Sequence, residues 1–245
     1  MPNVIVTGGS RGLGLGIAKA LRAAGHDVIA VARRPSDALS EAMKEQPANG
    51  SGSIDFVPFD LGCVGEIPEL VKRVRKNYGP IFGLVNNAGI GTSGVLATMK
   101  DADIEQLIRI NTLAPLVLTK YVVRSMMSGQ AGGRIVNISS IVSATGFSGL
   151  SVYSSTKSSL VGFTRSLARE VGALGITVNA VAPGFVDTEM TGELGDQARE
   201  KIARRSALRR MPEVEDIANA VEFLLSDKAR NITGTTLTVD AGNTA

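Results

Sequence analysis

The chain is poor in the residues that do much of the chemistry in enzymes and secreted proteins. Cys63 is the only cysteine among 245 residues, so no internal disulfide can form and a reducing, cytoplasmic setting is expected. His26 is the only histidine. A histidine-based metal site and a Ser-His-Asp triad are therefore both unavailable, and no metal is expected. No apolar run approaches the ~18 residues of a membrane-spanning helix, so no membrane segment is expected. Met1 stands just ahead of the apolar Val4-Ile5-Val6, and no signal or transit peptide is expected. Charge of neither sign dominates: 26 Lys and Arg against 23 Asp and Glu leave +3, with a pI near 9.1. Aromatic residues are few, 4%, and none is interleaved with Arg33-Arg34, Arg204-Arg205 or Arg209-Arg210. Nucleic-acid binding has only the pI in its favour and is not expected. An anionic small molecule accounts for the mild basic bias equally well.

What is present is an alternation. Strand-like apolar runs fall near 3–7, 27–32, 54–59, 81–86, 133–139, 175–182 and 235–239. Between them lie helical stripes such as Leu13, Ile17 and Leu21, or Leu160, Phe163, Leu167 and Val171. Strands apolar on both sides and separated by helices imply a parallel sheet covered on both faces. The expected fold is thus one α/β domain over 1–245, a doubly wound Rossmann-type parallel sheet of about seven strands. The stretch 47–52 reads as a surface turn. The long irregular stretch 183–212 follows a strand's carboxyl end, where a lid over a ligand crevice would sit.

Glycines mark one end of this layout. Thr7-Gly8-Gly9-Ser10-Arg11-Gly12-Leu13-Gly14 joins the first strand to the first helix. Gly8, Gly12 and Gly14 permit a tight turn that brings the helix N-terminus against a pyrophosphate. The second strand ends in Arg33-Arg34, where an NAD site would want a carboxylate to hold ribose hydroxyls. Arginine accommodates a 2′-phosphate instead, and Arg11 could reach it from the other side. The cofactor expected is therefore NADP(H). Asp60, ending the third strand, is placed either to bind an adenine amine or to cap the next segment.

Tyr153-Ser154-Ser155-Thr156-Lys157 puts a phenol and an ammonium on one helix face. A phenol with its ordinary pKa of about 10 is a poor acid–base catalyst at neutrality. An ammonium about 4 Å away, at an effective dielectric near 20, would favour the phenolate by about 4 kcal/mol. A shift of that size would let Tyr153 exchange protons with a carbonyl or alcohol near pH 7.

Taken together, Thr7-Gly8-x-x-x-Gly12-x-Gly14, Asn86-Asn87-Ala88-Gly89, Asn111, Ser140, Tyr153-x-x-x-Lys157 and Pro183-Gly184 with Thr188 resemble the short-chain dehydrogenase/reductase family. The resemblance runs over nearly the whole chain, and within the family it is nearest to 3-oxoacyl-acyl-carrier-protein reductases and related carbonyl reductases. It implies a catalytic set of Asn111, Ser140, Tyr153 and Lys157, with Ser139 the alternative to Ser140. Ser140 would hydrogen-bond the substrate carbonyl and Tyr153 would deliver the proton. Lys157 would tune Tyr153 and hold the nicotinamide ribose. Asn111 would kink its helix and hold a water that connects the lysine to solvent. Cofactor contacts are implied for Gly8, Ser10, Arg11, Gly12, Leu13, Gly14, Arg33, Arg34, Asp60, Leu61, Asn87, Ala88, Gly89, Tyr153, Lys157, Pro183, Gly184, Val186 and Thr188. Of these, Val186 and Thr188 would face the nicotinamide carboxamide. A homotetramer is implied as well.

The expected reaction is reduction of a ketone or 3-oxoacyl thioester to the secondary alcohol. Oxidation of a secondary alcohol is the alternative. A non-catalytic NADP-sensing regulator is a weaker one, because such proteins tend to lose the tyrosine or lysine and both are here. Acyl carrier protein is a candidate partner. The two places where basic docking residues are expected hold Ala131 and Leu174, however, which leaves Arg204, Arg205 and Arg209 of the lid as substitutes.

Overall fold

The computed structural model describes residues 2–45, 52–128, 132–186 and 195–245, the side chains of Asp196 and Ala198 excepted. Seven strands form one parallel sheet: β1 (Asn3–Thr7), β2 (Asp27–Ala32), β3 (Ile54–Pro58), β4 (Ile81–Asn86), β5 (Gly133–Ile138), β6 (Ile176–Pro183) and β7 (Thr236–Val239). Their order is β3-β2-β1-β4-β5-β6-β7, the doubly wound arrangement expected from the alternation. Expected strand limits differ from these by no more than one residue. At β5, for example, the Ser139 N–H still donates to the Val181 carbonyl at 2.7 Å, one step beyond the last strand residue.

The central strands are buried on both faces because helices cover both. Helices α1 (Gly12–Ala23), α2 (Asp37–Lys44) and α8 (Val214–Leu225) close one face, where Ile17, Leu21, Leu39, Ile217 and Val221 pack against Val4, Val6, Val85 and Val136. The other face is closed by α3 (Ile67–Tyr78), α5 (Ala114–Met127) and α6 (Ser151–Val171) through Leu70, Val74, Leu118, Val122 and Leu167. Helix α4 (Asp101–Ile108) leads into α5, and α7 (Asp196–Arg205) lies within the expected lid. Among the described residues no helix is long and apolar enough to cross a membrane.

Two features of this frame position the site. The strand order reverses between β1 and β4, and their carboxyl ends open a crevice there, the usual ligand position in such sheets. Below it a buried polar network ties sheet to helices. Asn86 and Asn137 are register partners on β4 and β5. The Asn86 amide donates to Asn137 Oδ1 at 2.8 Å and to Thr119 Oγ1 on α5 at 2.9 Å, and Asn137 donates to Thr164 Oγ1 on α6 at 2.9 Å. A polar network between buried elements fixes their relative placement in a way that interchangeable apolar contacts do not.

Candidate active site

The glycine loop shapes the wall of the crevice. Gly8 has φ +66°, and a Cβ on Gly14 would come within 2.2 Å of the Gly8 carbonyl oxygen, so the loop closes only without side chains at these points. Arg11 is the N-cap of α1 and makes no side-chain capping bond. The first N–H groups of the helix therefore point at the space in front of it, as an anion requires. The neighbouring turn is clipped to the same strand end. Thr7 Oγ1 accepts from the N–H groups of Asn87 and Ala88, both at 3.0 Å, and the Asn87 amide donates to the Thr7 carbonyl at 2.9 Å. The Ser36 hydroxyl donates to the Ser10 carbonyl and caps α2, which ties the glycine loop to the segment carrying the exposed Arg33 and Arg34. A bare cradle at a helix N-terminus, with Arg11, Arg33 and Arg34 on tethered segments, fits a phosphorylated dinucleotide.

Other expected contacts fall unevenly. Asp60 is exposed and its Oδ1 accepts the Gly62 N–H at 2.8 Å. Leu61 packs into the cluster under α3, and Leu13 lies half-buried against the cluster under α1. Pro183 is the last residue of β6, paired with Val239. The Gly184 N–H donates to the Val239 carbonyl at 2.9 Å. Val186 buries its side chain in the cluster under α1 and α8. Thr188 and Ala131 lie outside the described residues.

The proton-transfer residues converge from β5, α6 and the α4–α5 junction. Ser139 and Ser140 follow β5, and successive side chains on an extended chain point to opposite sides. Ser139 is buried and donates to the Lys157 carbonyl at 2.9 Å, a structural bond that removes it as the alternative to Ser140. Ser140 is half-buried and caps the short turn Ile141–Ser143, its Oγ accepting from Val142 N at 3.4 Å. That turn is held to α6, where the hydroxyls of Ser154 and Ser158 donate to the Val142 and Ser143 carbonyls. Ser140 consequently lies beside Tyr153, close enough for its hydroxyl to favour the phenolate.

Lys157 is buried and donates its Nζ to the Ile138 carbonyl at 2.8 Å, with Nζ 5.7 Å from the centroid of the Tyr153 ring. Burial pushes the lysine down to about 8. Burial likewise pushes the Tyr153 phenol up to about 12, against the opposing influence of the Ser140 hydroxyl. The expectation that the ammonium draws the phenol toward neutrality is overturned. The ammonium is directed at a main-chain carbonyl, and burial is the largest influence on the phenol.

Asn111 is buried in a π turn, Arg109–Leu113, that separates α4 from α5. Its cause is readable: Pro115 has no N–H to give the Asn111 carbonyl four residues back. The Asn111 side chain pairs with Ile90 like a strand neighbour, accepting from Ile90 N at 2.9 Å and donating to Ile90 O at 2.8 Å. It also donates to Thr156 Oγ1 at 3.3 Å. A Cβ on Gly89 would lie 3.3 Å from Asn111 Oδ1 and 3.4 Å from Lys157 Nζ, so the three groups enclose one small space. The parts played by Ile90 and Thr156 carry no sequence signal; each depends on a partner at least twenty residues away. Among the described residues no cluster of His, Cys, Asp and Glu could hold a metal.

A model of the short chain dehydrogenase family matches residues 2–199. The chain is 40% identical over 240 residues to the 3-oxoacyl-acyl-carrier-protein reductase FabG of Escherichia coli K12, covering 97% of this chain and 95% of that protein. The corresponding reductase of Pseudomonas aeruginosa shares 40% over the same span. Among solved structures, a short-chain dehydrogenase/reductase from Mycobacterium ulcerans superposes with a TM-score of 0.91 at 32% identity, over 99% of this chain and 89% of that one. A gluconate 5-dehydrogenase from Burkholderia cenocepacia, solved in complex with NADP and tartrate, superposes with a TM-score of 0.91 at 26% identity, over 99% and 95%. The chain belongs to the short-chain dehydrogenase family and is an oxidoreductase of that family.

Proposed function

We propose that this protein reduces a ketone or 3-oxoacyl carbonyl to the secondary alcohol, with NADPH as the reductant. The observation that carries the reading is the meeting of Ser140, Tyr153 and Lys157 where β5 ends, beside the crevice between β1 and β4. NADPH, when bound, supplies the hydride. Gly8, Ser10, Arg11, Gly12, Leu13 and Gly14 cradle its phosphates, while Arg11, Arg33 and Arg34 meet the 2′-phosphate. Asp60 and Leu61 border the adenine, and Asn87, Ala88, Gly89, Pro183, Gly184, Val186 and Thr188 line the rest of its length.

The chain's own residues then handle the oxygen. Ser140 donates a hydrogen bond to the substrate carbonyl and holds that oxygen against the phenol. Tyr153 gives its proton as negative charge develops there, and the Lys157 ammonium stabilises the phenolate that remains. Asn111 holds the turn through which a water returns a proton to Lys157. A phenol held near 12 rests in its protonated form at neutral pH, the form that reduction needs and oxidation does not.

Acyl carrier protein is the finer half of the reading. The relatives' names point to it, and Arg204, Arg205 and Arg209 are exposed beside the lid segment 183–212. Against it, Leu174 is exposed and uncharged, Arg204 is paired with Glu200 at 2.6 Å, and Arg209 donates to the Arg204 carbonyl. The deciding assay compares acetoacetyl-carrier protein, acetoacetyl-CoA and simple ketones with NADPH. Turnover of any of them supports the reductase, and a carrier advantage above about tenfold establishes docking. NADPH oxidation with none of the three would overturn the reading. Family membership supports a homotetramer as the assembly proposed here, and light scattering checks it.

A further inference from the structure

The loops that follow β4, β5 and β6 at their carboxyl ends, 87–99, 139–152 and 184–186, contain no Asp, Glu, Lys, Arg or His. Apolar side chains face solvent on these and adjoining segments, with Phe147 53%, Val95 64%, Leu96 55% and Leu208 62% exposed. They form one rim through a chain of contacts. Gly94 N donates to the Gly149 carbonyl at 2.9 Å, which joins the loop of Val95 to that of Phe147. Phe147 leans on Phe185 with ring centroids 5.7 Å apart and planes tilted by 57°. Phe185 follows Gly184, where a Cβ would meet Asp240 at 2.8 Å, and the next residue, Ala241, accepts from Leu208 N at 3.0 Å. Phe147 itself lies between Ser140 and Tyr153, in the loop that leads into α6.

We propose that Phe147, supported by Phe185, is the specificity-determining residue that receives the larger substituent of the carbonyl. That substituent is apolar and uncharged, an aryl or branched alkyl group rather than a polyol or sugar acid. No charged side chain in these loops could pair with a carboxylate or phosphate there, and a half-exposed tilted aromatic pair gains most from an apolar guest. The inference rests on the reductase reading above and names the substrate class for that same site.

The test uses the full chain with NADPH and three carbonyl compounds: ethyl benzoylacetate, ethyl acetoacetate and 5-keto-gluconate. The unmodified protein is expected to prefer the benzoyl ester, and Phe147→Ala to lower the benzoyl-to-acetyl ratio of kcat/KM about tenfold. Phe147→Leu, which keeps an apolar surface, should retain most of that ratio. A ratio unchanged in Phe147→Ala, or a preference for 5-keto-gluconate, would overturn the subsite while leaving the reductase standing. Loss of turnover for all three compounds in the unmodified protein, with NADPH still bound, would remove the reductase reading and the subsite with it.

Discussion

Ser139 and Lys157 hold each other's elements in place. The Ser139 hydroxyl donates to the Lys157 carbonyl at 2.9 Å, and the Lys157 ammonium reaches back to the carbonyl of Ile138, the residue before Ser139, at 2.8 Å. One serine and one lysine thus pin α6 to the end of β5 at the level of the proton donor. The consequence is directional: the ammonium is committed to a main-chain oxygen, and the phenol above it stays protonated until a negative charge appears.

Tyr153→Phe removes the proton donor and keeps the ring. Turnover of any carbonyl substrate is expected to fall by about 10²–10⁴-fold, with NADPH affinity, read by fluorescence titration, little altered. Turnover near the unmodified level would remove Tyr153 from the reaction.

Arg33→Asp places a carboxylate where the 2′-phosphate is expected. The NADPH-to-NADH ratio of kcat/KM should drop by at least about tenfold. A ratio that does not move would shift the phosphate contact to Arg11 or Arg34.

Reductive activity should decline as pH rises through about 8, where buried Lys157 loses its proton, while Tyr153 at about 12 remains protonated throughout. The stability of the cofactor-free protein moves the other way. Lys157 is lowered from 10.5 to about 8 on folding, so between those values the unfolded chain binds the extra proton and stability rises with pH. Compared by urea unfolding with Lys157→Met, the unmodified protein should gain on the variant from pH 8 to 10. Parallel curves would show that the lysine is charged alike in both states.

Asn111→Ala strips partners from the N–H and the carbonyl of Ile90 at once. A loss of about 2–4 kcal/mol in unfolding free energy is expected, together with a drop in kcat. Unaltered stability would mean that water replaces the amide without cost.

Local features of the chain determined the parallel sheet, the phosphate cradle and the Tyr153–Lys157 face. Each is written in a short repeat: strands apolar on both sides, glycines at fixed spacing, two side chains one helical turn apart. Even the π turn left a trace in Pro115, four residues after Asn111, though the pairing of Asn111 with Ile90 did not. Tertiary structure alone decided which of Ser139 and Ser140 meets the Tyr153 phenol, that Val186 points inward, and that Phe147 meets Phe185. It also reversed the expected direction of the Tyr153 pKa. The reason is the same in every case. Burial, desolvation and contact depend on what distant segments place around a residue, and a motif of five residues carries no record of them.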